Sequence, residues 1–304
     1  MKSLAIFILR GPSQAILVAV ATAVLAMMLP PLSVISGAAV SLVTLRNGPR
    51  PGAMVMLGST AFVALIAYVS LGNVLPSLVF LTMLWLPLWV LGWVLREIRS
   101  LALATAVAGM LGIMAVLVVY ALVGDVSSWW QQVLMTLFEP AMEVGGPLAD
   151  RATVETILAS LSKIMTGVAA AGMSLNVVMC LYLARAWQAQ LYNPGGFRDE
   201  FYGLRLGQGL AMISLVIIAL SLLPLGVVSH MAVEIVIVIL SLYVLQGLAM
   251  LHAIVAQRKL HIAWLVVLYL VMLFVLPQLV VLVAVLGLVD TWADFRRRLG
   301  NAPE

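Results

Sequence analysis

Eight runs of apolar residues follow one another along this chain, most of them about as long as a bilayer-crossing helix needs to be. They occupy residues 15–45, 51–71, 74–95, 101–123, 157–183, 210–228, 231–255 and 262–289. A spanning helix takes about 20 apolar residues. Lipid solvates such apolar side chains directly. The expected fold is therefore all-α: a polytopic transmembrane helical bundle of about 8–10 membrane segments, forming one domain over residues 1–304. Composition agrees, with 64% hydrophobic and only 9% charged residues. A water-facing surface could not be covered by so few charges.

The first and last runs are too long for one comfortable span, and each carries proline near its middle. Pro30-Pro31 divides the first and Pro277 the last. Proline removes a helical hydrogen bond and disfavours helix just before it. Each such run is thus a hairpin of two short helices or one kinked span, and charge separates the two. With both as hairpins and the N-terminus cytoplasmic, only Arg151 and Lys163 of the 16 basic residues lie toward the outside. That is the partition expected of inner-membrane loops. With both as single spans, Arg46, Arg50, Arg96, Arg99, Arg185, Arg198, Arg205, Arg258 and Lys259 fall outside. Ten segments with both termini cytoplasmic follow from the first choice. Lys2 and Arg10 resemble a charged leader, but no cleavage site follows, so the first segment is expected to stay as a signal-anchor.

Two polar stretches interrupt the bundle. The outer loop, residues 124–155, is acidic, with Asp125, Glu139, Glu143, Asp150 and Glu155 against Arg151. Inside it Trp130, Leu134, Leu137, Phe138 and Ala141 recur at helical spacing, predicting an amphipathic surface helix. It reads either as an interfacial anchor or as a lid over a pocket facing outward. The inner elbow, residues 185–208, contains the turn Asn193-Pro194-Gly195-Gly196 and then a short amphipathic helix. It is either a plain helix-terminating elbow or a docking surface using Phe197, Arg198, Phe201 and Arg205.

Catalytic and metal motifs are missing. No GxxxxGK[ST] loop or HExxH occurs, His230, His252 and His261 are scattered, and Cys180 stands alone in an apolar run. The expectation is a non-enzyme with no metal and no cofactor, and no nucleic-acid partner, since the +4 formal charge is explained by orientation in lipid. Ionisable residues inside membrane runs are then the candidates for function. Lys163 and Glu234 both fall in the outer half. At about 100° per residue Ser174 shares a face with Lys163, and Ser241 and His252 share one with Glu234. Lys163, Ser174, Glu234 and Ser241 either contact a small-molecule solute or serve structure, the lysine by snorkelling to the headgroups. Small residues form close-packing rows at Ala15-Ala19-Ala23 and Ala104-Ala108-Gly112, within the chain or against a partner.

Four stretches carry a resemblance. They are PPLS at 30–33, LRNGPRPG at 45–52, the YNPGGF…EF…LRL elbow at 192–206 and GLVDTWADFRRR at 287–298. In this order the chain resembles the YybS-like family of bacterial inner-membrane proteins over essentially its whole length. That family is in turn similar to the substrate-binding S components of energy-coupling-factor vitamin transporters. The resemblance implies a ligand held in the outward half of the bundle, near Lys163 and Glu234. It also implies an AxxxA helix, here Ala15-Ala19-Ala23, against a membrane coupling subunit. The chain departs from the six-helix S component by its extra segments.

Overall fold

A computed structural model describes residues 2–144, 151–275 and 278–300, and these form helices joined by short turns, with no strand among the described residues. By length and composition five helices can cross a membrane: α4 (Pro49–Leu71), Leu75–Ile98, α7 (Leu101–Leu122), α10 (Met165–Tyr192) and α13 (Val227–Gln257). Four shorter apolar helices join them, Pro12–Ala26, Gln208–Ser221, Ala263–Phe274 and Gln278–Ala293. With the buried α3 (Ser33–Asn47) they make ten helical segments. The lipid-facing surface is what bilayer solvation requires, with Leu57, Phe62, Leu65 and Val69 of α4 all exposed.

The first long apolar run is a hairpin. α2 (Pro12–Ala26) and α3 are separated by a short 3-10 turn at Pro30–Leu32. Each has 15 residues, about 22 Å at 1.5 Å per residue and so shorter than the hydrocarbon core. α3 survives at that length because protein surrounds it: every residue from Ser36 to Leu45 is buried. Ser36 fastens the pair, donating to the Ala19 carbonyl at 2.7 Å and accepting from Trp85 Nε1 at 3.1 Å. α3 packs against α2, α4, α10 and α6 (Leu86–Ile98), and is the axis of this half.

The last run also reverses. α14 (Ala263–Leu270) leaves the end of α13 with the Tyr269 ring 5.9 Å from His252. α15 (Gln278–Ala293) then runs parallel to α13, so that Asp294 meets Gln257 at the α13 terminus. Pro277, expected to divide the run, lies outside the described residues. Glycine makes the α13–α15 contact possible. A Cβ on Gly287 would stand 2.2 Å from the Tyr243 carbonyl oxygen, and one on Gly247 2.2 Å from that of Val283. Only hydrogen fits at this crossing.

One expected continuous segment is broken. The run 157–183 divides into α9 (Arg151–Ser162) and α10, with Lys163 and Ile164 in a turn between them. Lys163 is therefore at a helix junction and exposed, where a continuous helix would place it two turns inside. The break also cancels the helical phase that put Ser174 on its face.

Candidate functional site

The polar residues fall into two groups at opposite ends of the bundle. At one end α3, α6, α10, α13 and α15 terminate, and Arg46, Arg96, Arg99, Arg185, Arg205, Arg296 and Arg297 gather in clefts there. The other end carries α8 (Val126–Val144), α9 and the start of α13. Glu143 and Ala141 lie in α8 among residues whose side chains are not described, and Asp150 is outside the described residues altogether.

Glu234 sits at that second end, one to two turns into α13, and is 1% exposed. Neither carboxylate oxygen closes a hydrogen bond among the described residues. The hydroxyls of Thr166 on α10 and Tyr120 on α7, and the Thr166 backbone amide, stand close enough to act as donors to it but fall short of full hydrogen-bond geometry. Trp130 of α8 donates its indole N–H to Thr166 Oγ1 at 2.8 Å, so the amphipathic helix reaches over the carboxylate. The helices approach this closely because residue 167 has no side chain: a Cβ there would lie 2.7 Å from both Cα and carbonyl oxygen of Glu234. A buried carboxylate normally has two or three donors or a countercharge. This one has neither in full, and it is confined by three helices under a fourth.

The predicted site residues are only partly brought together. Lys163 makes no ion pair with Glu234 or any other described residue. Ser174 is buried and donates to the Ala108 carbonyl at 3.4 Å, within the packing of α7 on α10. Ser241 donates back to Val238 of its own helix at 2.7 Å. Both serines answer backbone carbonyls in helix packing. His252 is far down α13, bonded to the Leu248 carbonyl and beside Phe201. Sequence reasoning missed Tyr120 and Thr166, and it named Trp130 in the amphipathic helix without tying it to this site. A polar residue near the outer end of each neighbouring apolar run was the available signal.

Of the expected partner-docking residues, the three alanines turn inward, the two phenylalanines are half-buried and the two arginines are exposed. Ala15, Ala19 and Ala23 are fully buried against the chain's own helices, which leaves no face at that row for a second subunit. In the elbow, α11 (Gly196–Tyr202) packs Phe197 and Phe201 edge-on to Tyr182, each at 5.9 Å between ring centroids. Arg205 pairs with Asp294. Arg198 stays exposed, its guanidinium 5.1 Å over the Tyr202 ring. An aromatic face that the sequence allows for a partner is thus occupied by the bundle itself.

A family model, DUF2232, described as a predicted membrane protein, matches residues 16–291. The chain belongs to this family. The match takes in most of both hairpins, the amphipathic helix, the elbow and Glu234, while Asp294, Arg296 and Arg297 follow it. No curated protein and no solved structure matches the chain.

Proposed function

We propose that the protein is a solute-binding membrane component. Its ligand is a small molecule that offers hydrogen-bond donors or positive charge to the Glu234 carboxylate, with Tyr120 and Thr166 as further contacts and α8 as lid. One observation carries the reading: Glu234 is a buried carboxylate with no closed hydrogen bond, in a membrane helix, beneath a helix that touches its neighbour Thr166. Unsatisfied intramembrane charge is costly and is kept where a ligand completes it. The resemblance to S components supports the same reading, since those proteins hold ligand in the outward half. On the positive-inside rule the arginine-rich end faces the cytoplasm of a bacterial inner membrane, with both termini there, and Glu234 lies toward the outside. The chain binds and catalyses no bond-making step. Energy for uptake comes from a separate ATP-hydrolysing partner through a membrane coupling subunit, at a face other than the alanine row.

The alternative of a scaffold that recruits cytoplasmic proteins through the elbow has weaker support, because Phe197 and Phe201 are engaged with Tyr182.

Thermal unfolding of detergent-purified protein against a panel of water-soluble metabolites tests the proposal. At least one cationic or hydroxyl-rich solute should raise Tm in the wild type, and Glu234→Gln and Thr166→Val should remove the effect. Lys163→Ala should retain it. Stabilisation that survives Glu234→Gln overturns the site.

A further inference from the structure

At the end of the bundle away from Glu234, four arginines converge on one concavity. Arg46, Arg96, Arg99 and Arg185 line a cleft of about 540 Å³ together with Glu97, Gln188 and Glu200. Its volume lies in the range of small-molecule sites, about 300–1,000 Å³. We infer that this cleft binds a phosphate-bearing anion at the membrane edge.

Two of the arginines build the frame. Arg96 donates to the terminal carbonyls of α3, Leu45 at 2.9 Å and Arg46 at 2.7 Å. Arg185 holds Glu200 through two nitrogens and reaches Gln188 Oε1 at 3.2 Å, which neutralises Glu200 and fixes the elbow as a wall. The other two are unspent. Arg46 and Arg99 make no ion pair among the described residues. Arg46 is stacked at 3.8 Å over the Tyr192 ring, which orients its planar fork without using its N–H donors. Arg99 follows the last turn of α6 in left-handed backbone, φ 55°, a conformation uncommon for a side chain of this kind. Four guanidinium groups face two carboxylates, so the cleft carries an excess of two positive charges.

Membrane orientation asks only for positive charge near the cytoplasmic edge. Helix dipoles ask for arginine in a last turn, which accounts for Arg46 and Arg96. Neither requires a concave cluster with two unpaired guanidinium groups, one of them held flat against an aromatic ring. Paired forks in a basic pocket between membrane helices are the recognition chemistry of phosphate, whether on a lipid headgroup or on a soluble phosphorylated compound.

The test uses the full chain and compares wild type with the double variant Arg46→Gln/Arg99→Gln. Both residues are exposed and unpaired, so folding is preserved. Arg50→Gln, on the same edge but not lining the cleft, is the charge control. In detergent, inorganic pyrophosphate is titrated and thermal unfolding followed. In nanodiscs of mixed phosphatidylglycerol and phosphatidylcholine, native mass spectrometry reads which lipid remains attached. Pyrophosphate stabilisation weakened about 10-fold in apparent affinity by the double variant, and unchanged by Arg50→Gln, supports a soluble phosphate ligand. Retention of phosphatidylglycerol over phosphatidylcholine by the wild type, lost in the double variant alone, supports a lipid headgroup. No phosphate response and no phosphatidylglycerol retention in the wild type overturns the inference, as does an equal loss in Arg50→Gln.

Discussion

The two ends of the bundle handle buried polarity in opposite ways. At the arginine-rich end the buried charges are paired, although Trp187 Nε1 and Arg296 Nε close no hydrogen bond among the described residues. Arg296 pairs with Asp290 at 3.1 Å and donates to the Tyr202 and Leu204 carbonyls. Gln246 accepts from the Leu206 amide at 2.8 Å and donates to Gly287 and Thr291. These contacts strap the elbow to α13 and α15. At the opposite end Glu234 is equally buried but is faced by hydroxyls that close no bond with it. A satisfied network rigidifies, and an unsatisfied one leaves free energy for a ligand to recover. The contrast sets the strap built on Arg296 and Gln246 against the carboxylate on which solute binding is proposed.

Breaking the satisfied end should cost most. Arg296→Ala strands the fully buried Asp290 carboxylate and releases two elbow carbonyls. A loss of about 3–5 kcal/mol is expected, because the remaining charge is uncompensated. Thermal unfolding in detergent reads it, and trypsin should then cut at Arg198 or Arg205 in the loosened elbow. Adding Asp290→Asn should return part of the stability.

The opposite end should be sensitive to steric change and tolerant of charge removal. Gly167→Ala pushes α10 off Glu234 and should cost about 1–3 kcal/mol by the same measurement. Glu234→Gln should raise apo stability by about 1 kcal/mol, since a neutral amide replaces a buried carboxylate that has no countercharge among the described residues, while abolishing solute binding. An equal destabilisation by both changes would make Glu234 a structural residue and erase the distinction between the ends.

The smallest effect is pH dependence at the elbow strap. The hydrogen bond from Arg205 holds the Asp294 carboxyl below its ordinary value of 3.8. A depressed folded value means the pair contributes stability above the unfolded carboxyl's pKa and loses it as pH falls through the folded value. Wild-type Tm should therefore drop more steeply than that of Arg205→Gln below about pH 4.

The bundle was legible in the sequence because lipid imposes length and continuity on each helix, and the double proline at Pro30-Pro31 marks the first reversal. The NPGG turn likewise announced the elbow. Partners across the bundle were not legible. Glu234 stands out as a charge in an apolar run, but nothing local ties it to Tyr120 or Thr166, which arrive on two other helices. Gln246 was a visible signal passed over: an amide in mid-membrane sequence must find backbone to bond, and it fastens three segments at once. Lys163 misled because a continuous apolar run does not reveal a one-turn break. The alanine row did indicate close packing, but small residues pack equally well on the chain's own helices and on a partner.

Site-directed accessibility in intact cells tests the two-ended arrangement most directly. Single cysteines at Asn73→Cys and Ser229→Cys, in a Cys180→Ala background, should react with a membrane-impermeant maleimide. Arg99→Cys and Lys259→Cys should react only after permeabilisation. Labelling of Asn73→Cys and Arg99→Cys from the same side would contradict the arrangement.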